Sequence, residues 1–262
     1  MEESAEPART APGAGGRVAV VTGGGRGIGA ATARLLAEQG WDVCVGYRSD
    51  EASAAAVRDA CRSMGRAAIS QRVDVSSEAD IVELFAAVDA RLGPLRALVN
   101  NAGIVVGTAR LDEMTWERVR RTMEVNVVGA FIAAREAVRR MSTSHGGAGG
   151  SIVNVSSAAA RLGSPGEYVD YAASKAAIDT MTIGLAREVA AEGIRVNAVR
   201  PGLIETGIHA GAGQPDRVAR LAPSIPMQRG GHPEEVASAI VWLCSDAASY
   251  VTGALLDVSG GR

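Results

Sequence analysis

Tyr171 and Lys175 stand four residues apart in Tyr171-Ala172-Ala173-Ser174-Lys175, a spacing that puts both on one face of a helix. A free phenol, with a pKa of about 10, is a poor proton shuttle at neutral pH. A cation about 4 Å away is worth about 4 kcal/mol at an effective dielectric of about 20. That would bring the phenol towards about 7, where acid–base work is efficient. The pair reads as a proton carrier with its own electrostatic tuner; the alternative is two side chains decorating a surface. Tyr168 offers an internal comparison, because Ala172 stands where its lysine would be.

A second group of residues has the chemistry of a phosphate cradle. Thr22-Gly23-Gly24-Gly25-Arg26-Gly27-Ile28-Gly29 follows a short apolar run and opens an amphipathic one. Gly23 permits the tight turn, Gly27 lets the backbone approach a pyrophosphate, and Gly29 allows helix and strand to pack closely. The helix opening at Ile28 offers free N–H groups and the positive end of its dipole to phosphates. Taken alone, such a turn can also be purely structural; its place after the first strand of an alternating series points to a dinucleotide. No Gly-Lys-Ser/Thr follows, which disfavours a P-loop.

The cofactor's ribose is read at the end of the next strand. An NAD site uses an acidic residue there for the 2′-OH, but this strand ends Gly46-Tyr47-Arg48-Ser49, with Asp42 at its wrong end and Asp50 beyond the turn. Arg48, with Arg26 facing the same pocket, suits a 2′-phosphate through charge-assisted contacts. NADP(H) is therefore the expected cofactor. Asp74 and Val75 end the third strand, where an adenine edge could be read; Asp74 could equally lead the following helix as a cap.

These residues need a frame. Apolar strand-like runs at 17–22, 41–47, 67–75, 95–103, 151–157, 194–202 and 254–261 alternate with helical stretches at 28–39, 51–64, from Ser77 on, 115–141, 168–191 and 233–245. Ser76 or Ser77 can cap the third helix, and Pro233 suits the first position of the last. The alternation implies an α/β, Rossmann-like, doubly wound parallel sheet of about seven strands in one domain, with helices on both faces. Residues 1–16, rich in Ala, Pro and Gly, read as a flexible extension without the pattern of a signal peptide. The stretch 203–232 is expected to be irregular and functional.

Composition narrows the classes. A net charge of −2 with 47% hydrophobic and only 3% aromatic residues leaves no basic stripe for nucleic acid and no membrane-length apolar run. Cys44, Cys61 and Cys244 are scattered, as expected of reduced thiols in a cytoplasmic protein. His145, His209 and His232 lack metal spacing and are expected in loops, with no metal.

The ordered set TGGGRGIG, NNAG (Asn100 to Gly103), Asn126 in MEVNVVG, NVSS, YAASK and RPGLIET resembles the short-chain dehydrogenase/reductase family over residues 17–260. The resemblance implies that Tyr171 is the general acid in reduction and base in oxidation. It also implies that Lys175 lowers the phenol pKa and holds the nicotinamide ribose. Asn126 would hold a water linking Lys175 to solvent, and a serine would orient the substrate: Ser157, with Ser156 as the alternative. Asn101, Ala102 and Gly103 would lie beside the cofactor, Asn100 would support the sheet, and Pro201, Gly202 and Ile204 would flank the nicotinamide. Thr206 would contact phosphate or carboxamide, or serve as an ordinary loop residue.

The chain is similar to 3-oxoacyl-[acyl-carrier-protein] reductases and to sugar or glucose dehydrogenase-like members. The expected substrate is a small carbonyl or alcohol, which an acyl carrier could present. Residues 205–228 would form a substrate lid, in which Arg217 and Arg220, with Arg229 just beyond, could meet an anionic carrier or simply be solvated. Family members commonly form homotetramers, here through the helices at 115–141 and 168–191 and the terminal strand. A cofactor-sensing regulator on the same fold is the alternative of a different class; retention of the full polar set disfavours it.

Overall fold

Val18 to Val21 have no exposed surface at all, and most of Trp41–Tyr47 is equally buried. Strands covered on both faces read as continuous apolar runs, and β1 (Arg17–Val21), β2 (Trp41–Tyr47), β3 (Ala68–Arg72), β4 (Leu95–Asn100), β5 (Gly150–Val155), β6 (Ile194–Pro201) and β7 (Leu255–Val258) pair in parallel throughout. The computed structural model describes residues 16–262 except Ala212. The extension expected at 1–16 lies outside them apart from Gly16.

The sheet order is β3-β2-β1-β4-β5-β6-β7. The chain winds outward from β1 to β3, returns, and places β4 on the other side of β1. Ligands of such sheets bind beyond the strand ends at this reversal, and both the glycine turn after β1 and the Asn100-Asn101 exit of β4 lie there. Helices α1 (Gly27–Glu38), α2 (Glu51–Ser63) and α10 (Pro233–Cys244) bury Leu36, Val57 and Ile240 against one face. The other face takes Phe85 of α3 (Glu78–Arg91), Ala133 of α5 (Gly129–Met141) and Ala186 of α7 (Val169–Val189). Ser77 caps α3, its hydroxyl accepting from Asp80 N–H.

The long helix expected at 115–141 is interrupted. After α4 (Trp116–Met123) comes a π-helical turn, Glu124–Val128, centred on Asn126, before α5 continues. Such wide turns mark functional sites, and nothing in the periodicity signals this one. The stretch 203–232 is also more ordered than expected: it holds α8 (Ile208–Gly211), α9 (Arg217–Leu221) and a 3-10 turn at Ala222–Ser224. A further short helix, α6 (Ala159–Leu162), follows β5. Two histidines depart from the loop expectation: His145 ends a 3-10 turn and His209 lies within α8; His232 stands in the loop that leads into α10, as its N-cap.

Gly129 seats the π turn on β3's exit. A Cβ there would lie 2.4 Å from the Val75 carbonyl oxygen, a backbone atom that cannot swing away. Gly129→Ala should destabilise the fold by roughly 1–3 kcal/mol through this overpacking, measured as a lower urea midpoint. An unchanged midpoint would contradict this packing.

Candidate active site

Beyond the strand ends runs a cleft of about 520 Å³. At one end the backbone of the glycine turn forms its floor. Gly23 and Gly27 have φ of +64° and +52°, values that L side chains rarely adopt. A Cβ on Gly27 would meet the Thr206 side chain at 3.2 Å, and one on Gly29 would lie 2.3 Å from the Gly23 carbonyl oxygen. The turn is held from β4: Asn101 Nδ2 donates to the carbonyls of Thr22 and Gly23 at 2.9 and 3.0 Å, while Thr22 Oγ1 accepts from the N–H groups of Asn101 and Ala102. Asn101 thus fastens the cradle as well as lining it. Asn100 turns into the sheet, donating to Asn154 Oδ1 and the Ala130 carbonyl.

Arg26 and Arg48 are exposed and line the same end of the cleft. Asp50, set aside in the sequence, lines it too, but its oxygens are occupied as the cap of α2. Oδ1 accepts from Ser53 N–H at 3.0 Å and Oδ2 from Ser53 Oγ at 2.7 Å. Those Ser53 bonds, with the Arg26 charge nearby, hold its carboxyl below the usual range. Asp74 and Val75 line the cleft as expected. The Asp74 carboxylate accepts from Ser76 N–H and Oγ and pairs with Arg121 at 3.3 Å. Partial burial pushes that carboxyl up, but Ser76 and Arg121 more than offset this and leave it below the usual range. Asp74 thus holds the turn before α3 while it lines the cleft. Ile28, Ala102, Gly103, Pro201, Gly202, Ile204 and Thr206 complete the wall as expected. Gly29 lies behind it, pressed on Gly23.

Where β5 ends, Ser156 and Ser157 point differently. Ser156, 2% exposed, donates to the Lys175 backbone carbonyl at 3.1 Å and ties α7 to the strand. The Ser157 hydroxyl accepts from Ala159 N–H at 3.1 Å, and it is the side chain that works against burial at the Tyr171 phenol. Of the two, Ser157 is the one beside the phenol.

The electrostatics differ from the simple picture of a lysine tuning its neighbour. Lys175 Nζ is 5.8 Å from the centre of the Tyr171 ring and donates to the Val155 carbonyl at 2.8 Å. Burial pushes the Tyr171 phenol up, opposed only by Ser157. Burial also pushes Lys175 down from 10.5 to about 8, with Asp179 opposing. Desolvation penalises both charged forms, so this site by itself keeps the phenol protonated.

Asn126 is 1% exposed and does not line the cleft. Its Oδ1 accepts from Ile104 N–H at 2.8 Å, and its Nδ2 donates to the Ile104 carbonyl and to Ser174 Oγ. The side chain anchors the loop after β4 and carries no free amide. Its Oδ1 and Lys175 Nζ both flank Gly103, at 3.3 and 3.4 Å from where a Cβ would stand.

Sequence reasoning missed the far wall of the cleft, where Glu167, Tyr168 and Arg217 gather. Arg217 is neither solvated nor free for an anion: it is buried against Glu167 and Tyr168. Arg229 pairs with Glu235 at 2.6 Å. Among the described residues no His, Cys, Asp and Glu cluster could hold a metal, and no helix is long and apolar enough to cross a membrane.

Lys175 gives a pH test. The unfolded chain binds the lysine proton up to about 10.5 and the folded chain only to about 8, so this residue makes stability rise with pH across that window. Burial pushes the Cys44 and Cys244 thiols up to about 12 and Cys61 to about 11, which has the opposite sign above pH 9, so the comparison must be differential. The stability of the wild type minus that of Lys175→Met should climb between pH 8 and 10.5 in urea titrations. A flat difference would contradict the shift.

Known proteins resemble this chain in sequence and fold. A family model described as "Enoyl-(Acyl carrier protein) reductase" matches residues 23–262. The uncharacterized oxidoreductase YgfF of Escherichia coli (strain K12) is 56% identical, covering 94% of this chain and 99% of that protein. The cis-4-hydroxycyclohexanecarboxylate dehydrogenase of Sinomonas cyclohexanicum is 44% identical over 94% of this chain and 96% of its own. Among solved structures, a blue fluorescent protein from a metagenomic library in complex with NADPH superposes with a TM-score of 0.86 at 35% identity, covering 94% and 97% of the two chains. A short-chain type dehydrogenase/reductase from Mycobacterium marinum gives 0.87 at 34% identity, covering 94% and 95%. With the parallel sheet, the glycine cradle and the Ser157–Tyr171–Lys175 group all in place, this chain belongs to the short-chain dehydrogenase/reductase family of oxidoreductases.

Proposed function

We propose that the chain interconverts a carbonyl and a secondary alcohol with NADP(H), Tyr171 moving the proton. The observation that carries this reading is one cleft with a glycine cradle and two arginines at one end and Ser157, Tyr171 and Lys175 further along. The cradle has the shape a pyrophosphate needs, since a Cβ at Gly27 would fill it. Gly23, Gly27 and the α1 N-terminus would hold the phosphates, Arg26 and Arg48 the 2′-phosphate, Asp74 and Val75 the adenine side, and Pro201, Gly202, Ile204 and Thr206 the nicotinamide side. Bound there, the nicotinamide supplies or accepts the hydride.

The protein's own residues manage the proton. Tyr171 Oη holds it at rest and gives it to the carbonyl oxygen in reduction; in oxidation the phenolate takes it back. Ser157 Oγ donates to the same oxygen and orients it. Lys175 keeps one donor on Val155 and has two left for the ribose and for the phenolate as charge develops. Asn126, by fixing Ile104, keeps Gly103 and the Lys175 ammonium in register. Proton supply to Lys175 would run through a water beside Asn126, held by backbone because the amide is engaged.

The substrate end, walled by Val105, Leu162, Leu203 and Ile208, suits a compact, largely apolar alcohol or ketone, with residues 205–228 as the lid. The cis-4-hydroxycyclohexanecarboxylate dehydrogenase relative supports this class. A 3-oxoacyl thioester on an acyl carrier is the second reading, favoured by the family description and by exposed Arg220; the internal pairing of Arg217 and Arg229 weighs against it. Sugar oxidation is less suited to these walls. We also propose a homotetramer, supported by Val128 and Phe131 near the start of α5, each 49% exposed, and a cytoplasmic location, supported by three buried free thiols.

The test is a panel of 4-oxocyclohexanecarboxylate, acetoin and acetoacetyl-CoA with NADPH, and of glucose with NADP⁺, followed at the nicotinamide absorbance. Tyr171→Phe should lower kcat by about 10²–10⁴, and Ser157→Ala should cost far more than Ser156→Ala. Replacing Arg26 and Arg48 together by alanine should weaken NADPH binding about 10–100-fold while leaving NADH nearly unchanged. A wild-type preference for NADH would overturn the cofactor assignment.

A further inference from the structure

Helix α9, inside the stretch 205–228, has one buried residue, and it is an arginine. Arg217 is 6% exposed. Its guanidinium forks onto Glu167, with Nη1–Oε1 at 2.9 Å and Nη2–Oε2 at 2.5 Å, and lies 5.0 Å from the Tyr168 ring centre. Nη1 also donates to Gln214 Oε1 at 2.8 Å, and Gln214 Nε2 donates to Thr108 Oγ1 in the loop after β4. Glu167 and Tyr168 form the turn that launches α7, four and three residues before Tyr171. The Glu167 backbone carbonyl accepts from Ala109 N–H at 3.1 Å. One side chain of the lid therefore gathers the lid, the launch turn and the β4 loop at the wall of the cleft.

The same helix start has a second fork of different origin. Asp170 pairs with Arg118 of α4 through Nε–Oδ2 at 2.9 Å and Nη2–Oδ1 at 3.1 Å. That clamp joins two elements of the fixed frame, whereas the Glu167 fork joins the frame to α9, which buries no apolar side chain of its own. A contact made of charges is suited to release. Opening the lid rehydrates both ions, which returns the desolvation penalty that closure incurred, so the two states lie close in free energy, as gating segments require.

We propose that Glu167 and Arg217 are the latch of the lid: their fork closes α9 over the substrate end, against the turn that precedes α7. Both are positioning residues, and their effect falls on substrate capture. Amide exchange of the protein without ligands tests the latch independently of the activity proposed above; only a kinetic arm rests on that reading. In Arg217→Met and in the milder Glu167→Gln, exchange of 214–221 should rise at least about tenfold, with the β1–β6 amides unchanged. The double variant should open no further than either single one, since the pair acts as a unit. With NADPH and whichever carbonyl of the panel turns over, KM should rise at least about fivefold while kcat changes less than about twofold. Wild-type exchange in both single variants would overturn the latch, as would loss of protection throughout the sheet, which would make the pair a fold staple. Additive opening in the double variant, or kcat falling with KM unchanged, would overturn it too.

Discussion

The ammonium of Lys175 is buried at the junction of β5 and α7, and the rest of the site is arranged around that constraint. A charge in such a place needs a partner, and the Val155 carbonyl at the end of β5 supplies one. Ser156 fastens the Lys175 backbone to the same strand exit, so the helix cannot shift without breaking both bonds. The strand end therefore sets where Tyr171 stands one helical turn earlier, and Ser157, the next residue along, is brought to the phenol. Gly103 belongs to this constraint as well, since it leaves room beside the ammonium that a Cβ would narrow to 3.4 Å.

Burial has a consequence for the chemistry. It disfavours the phenolate of Tyr171 and the ammonium of Lys175 alike, so the protein's own residues leave the proton on the tyrosine. A proton donor in that state suits reduction, and oxidation needs a positive charge brought close to the phenol. The oxidised nicotinamide carries one, and Lys175 can contribute once its free donors turn to the phenolate. On the proposed function, control of the acid is shared between the fold, which sets the resting state, and the ligand, which would shift it.

Much of this was legible in the sequence, for a physical reason: parallel strands buried on both faces must be apolar, and glycine is required where a turn has positive φ. The five inner strands β1, β2, β4, β5 and β6 and the cradle follow from those two facts, while β3 and β7 are partly exposed edges. Tyr171 and Lys175 are legible as a pair because residues four apart share a helical face, whereas the choice of Ser157 rests on the family resemblance. The misses are of another kind. The π turn at Asn126 depends on Gly129 seating against Val75, a tertiary contact that leaves no periodicity. Arg217 reads as a surface arginine until its partner, fifty residues earlier in the chain, is placed beside it. Asp50 and Asp74 line the cleft, yet hydrogen bonds from Ser53 and Ser76 occupy their oxygens. The four-residue spacing of Tyr171 and Lys175 was right, but the lysine's preference for the Val155 carbonyl over the ring is set by β5.

The central claim is that the fold holds the Tyr171 phenol protonated and that a bound positive charge lowers it. Ultraviolet difference titration of tyrosinate, with Tyr171→Phe subtracted, measures this directly with and without NADP⁺. Without NADP⁺ the phenol should stay protonated beyond its ordinary value of 10.0, and saturating NADP⁺ should lower its titration. A phenol that titrates near neutrality in the protein alone, unchanged by NADP⁺, would contradict it.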